Sequence, residues 1–208
     1  MKRYLSILVI VILAVFLNGC ADTLKVTHDP LAQVENKKEG NILVKEFKDS
    51  RDPSFIEHIG RERNGWGMVI YTYDSRDRIE PLLTGYFAEA LREAGYSVVV
   101  EGTQGKSIPP DFKADAILEG EILVFWIDAF VQIWQDISIS VKALEKDTNK
   151  ILWEKKIVSE ETSYIGRGKL SNFEKVINKA LTNALNEAAK DFASDEFYRS
   201  IKTNKETQ

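Results

Sequence analysis

The sequence predicts an α+β domain of two layers, with two amphipathic helices packed on one face of a largely antiparallel sheet. Three patterns lead there. Ile79, Leu82, Leu83, Tyr86, Phe87, Ala90, Leu91 and Ala94 recur at i, i+3, i+4, i+7 spacing. Phe173, Val176, Ile177, Ala180, Leu181, Ala184, Leu185, Ala188 and Phe192 do the same nearer the carboxyl end. Between them Val131, Ile133, Ile137, Ile139, Val141 and Ala143 alternate with Gln132, Asp136, Ser138, Ser140 and Lys142, as in a half-buried antiparallel strand. Each helix has one apolar stripe to bury, and a shared sheet face serves both with the fewest layers. At 208 residues and 44% hydrophobic, the chain has the material for one ordinary domain with tails.

The elements follow in order. Met1, Lys2 and Arg3 open the chain, and the fourteen residues Tyr4 to Leu17 carry no charge. Asn18-Gly19-Cys20 follows, and Cys20 is the single cysteine. A basic start, an apolar run and a small residue before the cut describe a secretory signal peptide. A cysteine directly after that small residue points to the bacterial lipoprotein form, in which the thiol receives a diacylglycerol. As a helix the run spans about 21 Å, short of the roughly 30 Å hydrocarbon core, so a permanent span is disfavoured. The expected organisation is a signal peptide over 1–19, a lipidated flexible tether over 20–40, a periplasmic domain over 41–195 and a frayed tail over 196–208. If flexible, the tether has an end-to-end distance of about 25 Å.

Asn41 to Phe47 reads as a first strand. Lys48 to Arg78 reads as mostly loop, with a further strand at Met68 to Tyr73. The first helix has Asp77 or Glu80 to cap it, Pro81 in its first turn and Gly95 as its stop. Tyr96 to Val100 is β-branched and short. Ala114 to Ile127 is predicted to place Ala116, Leu118, Gly120, Ile122, Val124 and Trp126 on one face. After Val131–Ala143, the turn Glu145–Lys150 leads to a strand at Ile151–Val158. Ser171-Asn172-Phe173-Glu174 has the form of a capping box at the head of the last helix.

Composition narrows the chemistry. Net charge is −4, and loss of residues 1–19 removes two bases and no acid, which disfavours a nucleic-acid partner. His28 and His58 have no cysteine or third histidine nearby, so no zinc site is supported. Gly105-Lys106-Ser107 ends like a phosphate loop, but the earlier glycine is replaced by Val100, and Pro109 and Pro110 stop a helix. Gly166-Arg167-Gly168 ahead of a helix could hold an anion, but a plain loop before a capped helix explains it better. Glu119 and Glu121 share a strand face, yet no nucleophile or second carboxylate pair joins them. The sequence therefore predicts no enzyme, no catalytic residue and no cofactor or metal.

Phe125, Trp126, Ile127, Phe130, Ile133 and Trp134 crowd a tight turn at Asp128-Ala129. Either the tip tucks under a loop or helix end, or Phe125, Ile127, Phe130 and Trp134 form a contact for a partner protein or lipid.

Phe47-Lys48-Asp49-Ser50-Arg51, Ile59-Gly60, Asn64-Gly65-Trp66-Gly67 and Leu91-Arg92-Glu93-Ala94-Gly95-Tyr96 resemble the YajG-like family of bacterial lipoproteins. From Ala114 onward the chain is also similar to the auxiliary lipoproteins of lipid-transporting ABC systems. The resemblance implies a non-enzymatic domain on an outer-membrane lipid anchor with an envelope protein partner. An accessory subunit of an ABC-type lipid-transport complex is the alternative. Ala21, where aspartate commonly retains enterobacterial lipoproteins in the inner membrane, favours the outer membrane.

Two acyl chains, at about 0.8 kcal/mol per buried methylene, suffice for stable anchoring. Cys20→Ser is therefore expected to leave membranes on fractionation and to lack the diacylglyceryl mass. Equal partitioning and identical processing of both forms would count against lipidation.

Overall fold

The computed structural model describes residues 22–102, 108–164 and 169–202. The elements run β1 (Asp22–Leu24), β2 (Asn41–Val44), β3 (Lys48–Asp49), a 3-10 turn (Pro53–Phe55), β4 (Gly60–Arg63), β5 (Val69–Ser75), α1 (Ile79–Glu93) and β6 (Ser97–Val100). Then come β7 (Ala116–Ala129), β8 (Gln132–Leu144), β9 (Ile151–Tyr164), α2 (Leu170–Phe192) and α3 (Asp195–Lys202). All strands belong to one sheet, and β7 is its spine.

On one side β7 pairs antiparallel with β8, which pairs antiparallel with β9. Along its other side lie β2, β3 and β4 in succession, all parallel to it: Ile42 faces Ala116, Lys48 faces Glu121 and Gly60 faces Ile127. Residues 41–63 thus behave as one interrupted strand with excursions at 45–47 and 50–59. Outside β2 lies β6, and outside β4 lie β5 and then β1.

The class is α+β as predicted, but the sheet is mixed, not largely antiparallel. The reason lies in the connections. Antiparallel neighbours can be joined by a tight turn, whereas α1 stands between β2 and β6 and returns the chain to the end it left, so those strands pair parallel. The sequence reading found the long strands but not β1, β3 or β4, which are too short to show a period of their own.

The helices share one continuous core with the sheet. Leu83, Phe87 and Leu91 of α1 and Ile177, Leu181 and Leu185 of α2 are fully buried in it, with Phe47, Leu118, Phe125 and Ile139. Phe47 lies flat over Gly120, where an added Cβ would come within 2.5 Å of its ring. Gly95 ends α1 at φ +103, and a Cβ there would also strike the Lys38 carbonyl, so glycine is required twice.

The capping box does not form. α2 begins at Leu170 with no side-chain cap, and the Glu174 carboxylate accepts instead from the Lys25 backbone N–H at 3.0 Å. Competition from a passing strand took the partner that local spacing had assigned to Ser171.

That strand also corrects the tether. Residues 22–40 are laid onto the domain rather than held free of it. β1 joins the sheet, Leu24 and Val26 are buried, and the chain then runs between the helices. The backbone N–H groups of Asp29 and Ala32 donate to Thr182 Oγ1 and Asn186 Oδ1, and Lys38 N–H donates to the Ala94 carbonyl. The expected frayed tail is likewise corrected over 196–202. Phe197 and Ile201 of α3 are buried, Phe197 against Trp153, Phe192 and Tyr96. Both segments are polar on average, and their few apolar residues are spaced for a single seat, which composition alone does not reveal.

Leu181 is fully buried in the middle of the α2 stripe. Leu181→Asp would strand a charge there, and urea unfolding is expected to show a loss of more than about 3 kcal/mol. A variant with unchanged stability would refute the packing of α2 on the sheet.

Candidate binding face at the strand bulge

The candidate site is built on an irregularity of β7. Its register against β8 slips between Ile122 and Val124, so one extra residue enters β7. Before the slip the even-numbered side chains Ala116, Leu118, Gly120 and Ile122 point to the helices. After it the odd-numbered Phe125, Ile127 and Ala129 do. Val124 and Trp126, expected on the same face as Ile122, turn to the outer face.

The bulge is held by Arg51. β3 pairs with β7 up to Ile122, and Ser50 N–H donates to the Ile122 carbonyl at 3.0 Å. The Arg51 side chain, 4% exposed, then passes beneath the 50–59 excursion. Its Nε lies 3.0 and 3.1 Å from the two Asp49 carboxylate oxygens, and Nη2 lies 2.8 Å from one of them. Nη1 donates to the carbonyls of His58 and Phe125, and Nη2 to that of Ile56. Burial alone would raise the Asp49 carboxyl, but the hydrogen bonds and charge of Arg51 outweigh it and hold the group below the usual carboxylate range. One guanidinium thus joins β3, the excursion and the first strand bond after the bulge.

A cavity of about 230 Å³ opens on the outer face beside it, lined by Arg51, Asp52, Phe55, Val124, Trp126 and Asp136 among others. Asp52 shapes its rim by accepting from Ser54 N–H at 2.9 Å, which starts the 3-10 turn. That turn brings the Phe55 ring to 4.5 Å from the Trp126 ring. Opposite them, burial and the charges of Glu160 and Asp128 push the Asp136 carboxyl upward. The volume falls below the roughly 300 Å³ of small-molecule sites, and suits one inserted side chain or a short apolar group. Arg51 is committed to backbone and Asp49, so the cavity offers contact area and no reactive pair.

Toward the β7–β8 turn the face becomes charged and aromatic. Arg61 and Arg63 of β4 donate to the two oxygens of Asp128 at 2.8 and 2.9 Å. The Arg61 guanidinium stands 5.9 Å from the Trp126 ring and that of Arg63 5.4 Å from Phe130.

These positions divide the four predicted contact residues. Phe125 and Ile127 are fully buried core residues, because the bulge reversed the face they occupy. Phe130 and Trp134 lie half-buried on the outer face, with Trp134 opposite Asp128. Val124 and Phe55 line the cavity and were missed. The one sequence sign of the bulge is the adjacent pair Leu123-Val124, which breaks strict alternation.

Other candidates are placed as follows. Cys20, Thr103–Ser107 and residues 165–168 lie outside the described residues. Glu119 receives Lys45 Nζ at 2.8 Å, a hydrogen bond that raises the lysine pKa. His28 contacts Glu89 at 3.1 Å, and His58 contacts Asp74 at 2.5 Å. Among the described residues no three of His, Cys, Asp and Glu are grouped as metal ligands would be, and no helix is long and apolar enough to cross a membrane.

No family model matches the sequence, and no curated protein matches it significantly. Solved structures do share its fold. A Xanthomonas campestris protein assigned to the family model DUF330 overlays at TM-score 0.62 with 13% identity, over 90% of this chain and 100% of that one. A Helicobacter pylori homolog of neuraminyllactose-binding hemagglutinin overlays at TM-score 0.51 with 16% identity, over 85% and 98%. The lipoprotein GNA1162 of Neisseria meningitidis overlays at TM-score 0.39 with 15% identity, over 73% and 99%, too loosely to carry weight. At these identities the likeness establishes the fold alone.

Removing Asp49 would leave a buried guanidinium without its counter-charge. Asp49→Ala is expected to cost about 3–5 kcal/mol in denaturant unfolding. A loss below about 1 kcal/mol, the range of exposed pairs, would show that Arg51 does not hold the bulge.

Proposed function

We propose that this chain is a non-enzymatic lipoprotein of the bacterial envelope, held by lipid on Cys20 at the periplasmic face of the outer membrane, whose outer sheet face binds an envelope protein. The observation that carries the reading is the apolar run ending in Asn18-Gly19-Cys20, two residues ahead of a strand built into the domain. Such a placement suits a chain whose mature end begins at the cysteine. Ala21 favours sorting outward, and the motifs around Asp49-Ser50-Arg51 and Asn64-Gly65-Trp66-Gly67 support a relation to the YajG-like family. The acidic balance of the chain argues against nucleic acid.

Binding rather than catalysis is the role that suits the bulge. Its polar groups are spent on structure, and what it offers is Phe55, Val124 and Trp126 around a cavity of one-side-chain size. Aromatic residues beside a small apolar seat are the usual material of interface anchors. That seat also favours a second reading, an accessory subunit of an ABC-type lipid-transport complex that docks on a permease.

A photo-crosslinking residue at Val124 in intact cells distinguishes these. The expected result is one discrete adduct from Val124 and none from Lys146, which lies in the turn between β8 and β9. An adduct containing a permease would select the transport reading. Absence of any adduct at Val124, in cells where the protein is lipidated, would remove the bulge as the binding face.

A further inference from the structure

The register across the sheet fixes how the domain stands on its anchor. Asp22, Tyr73, Gly60 and Ile127 lie on one line through β1, β5, β4 and β7. Cys20 precedes Asp22 by two residues of chain, a length that reaches at most about 7 Å. The far end of β7, at Ala116, is eleven residues or about 36 Å from the line, beyond such a link. The near end is closer. Val69, where the β4–β5 turn ends and β5 starts, is four residues or about 13 Å from Tyr73. The turns of the near end therefore face whatever bilayer holds the anchor.

That end is apolar. Trp66 is 87% exposed, Met68 58% and Val69 50%. Val131, in the β7–β8 turn, and Tyr164, opposite Gln132 at the end of β9, are also exposed. The β4–β5 turn presents its tryptophan in a defined shape. Asn64 Oδ1 accepts from the N–H groups of Trp66 at 3.0 Å and Met68 at 3.1 Å, and Gly67 has φ +81. The charges behind it are turned to one another: Arg63 and Arg61 bond Asp128, and Glu62 accepts from the Tyr73 hydroxyl at 2.7 Å. An ordered turn that displays tryptophan and methionine to water is costly for a domain surrounded only by solvent, whereas tryptophan is at home at the headgroup level of a membrane.

We propose that the β4–β5 turn is a second membrane contact, inserting Trp66 and Met68 into the interfacial region of the leaflet that carries the Cys20 lipid. The inference rests on lipidation of Cys20 and adds orientation to it. With the 22–40 segment bound to the sheet and helices, the two residues of chain from Cys20 to Asp22 are too short to hold the domain away from the bilayer, so the near end meets the headgroups and the far end faces the periplasm. A turn that enters by about 5–10 Å, as interfacial segments do, buries Trp66 and Met68 and leaves Arg61 and Arg63 among the headgroups.

The test uses the full lipidated chain, reconstituted in vesicles of phosphatidylethanolamine and phosphatidylglycerol with brominated acyl chains. The diacylglyceryl mass on Cys20 is measured on the same preparation. Bromolipid is expected to quench part of the tryptophan emission of the wild type, and Trp66→Phe to abolish that quenchable part. Trp66 is 87% exposed, so the substitution is expected to leave the fold intact. Equal quenching in both, or none in either, on a chain whose lipid mass is present, overturns the second contact and leaves the anchor intact. Protection of Trp66 from acrylamide in native envelopes but not in vesicles would mean that a protein covers the turn, which also overturns the proposal. A chain without the lipid mass overturns both.

Discussion

The contact between the Arg51 guanidinium, the Asp49 carboxylate and three backbone carbonyls is the constraint on which the sheet depends. β7 changes the face it buries halfway along its length, and such a change needs something to hold the extra residue in place. Arg51 does so from the neighbouring segment, with donors committed to acceptors on β3, on the 50–59 excursion and on Phe125. A planar fork of fixed donors suits this better than a lysine would, because several acceptors in different directions must be met at once. Everything after the bulge takes its orientation from it, including the burial of Phe125 and Ile127 and the outward turn of Val124 and Trp126.

A second constraint concerns the amino-terminal segment. Residues 22–40 contribute a strand at one edge and then run between the two helices, using Glu174, Thr182 and Asn186 as acceptors for backbone N–H groups. Tyr86 adds a bond to the Val26 carbonyl, and its ring packs edge-on against His28. These bonds convert what composition suggests is a spacer into part of the domain. The consequence is mechanical. A long flexible spacer would allow any orientation at a membrane, whereas under the proposed lipidation of Cys20 a two-residue link to a strand in a sheet would allow few.

The two surfaces then fall into different places. The cavity at the bulge opens on the outer sheet face, bounded by the 50–59 excursion, while residues 108–114 cover another part of that face through Phe112 and Ile108 against Leu43, Ile117 and Leu144. The apolar turns stand at the end of the sheet nearest Asp22, where the proposed anchor would attach. If the proposed membrane contact holds, a domain oriented by the second surface would present the first sideways, within reach of a protein standing in or on the same membrane.

Periodicity alone determined α1, α2, the strand at Val131–Ala143, the stop at Gly95 and the α+β class, because a single apolar stripe or a strict alternation has one economical way to be buried. The signal and Cys20 are read from the local order of residue types alone, and both lie outside the described residues. The parallel pairing of β2, β3 and β4 with β7 was not, because pairing direction follows from where a crossover returns the chain. Nor were the buried places of Phe125 and Ile127, the failed cap at Ser171 or the ordered strap over 22–40. A bulge shifts which side chains face the core without altering composition, and a cap or a strap depends on which distant group arrives first at a shared acceptor. Trp66 shows the limit most simply. Sequence marks it as apolar, but whether an apolar residue lies inside, outside or against a membrane is decided by what the rest of the chain leaves uncovered.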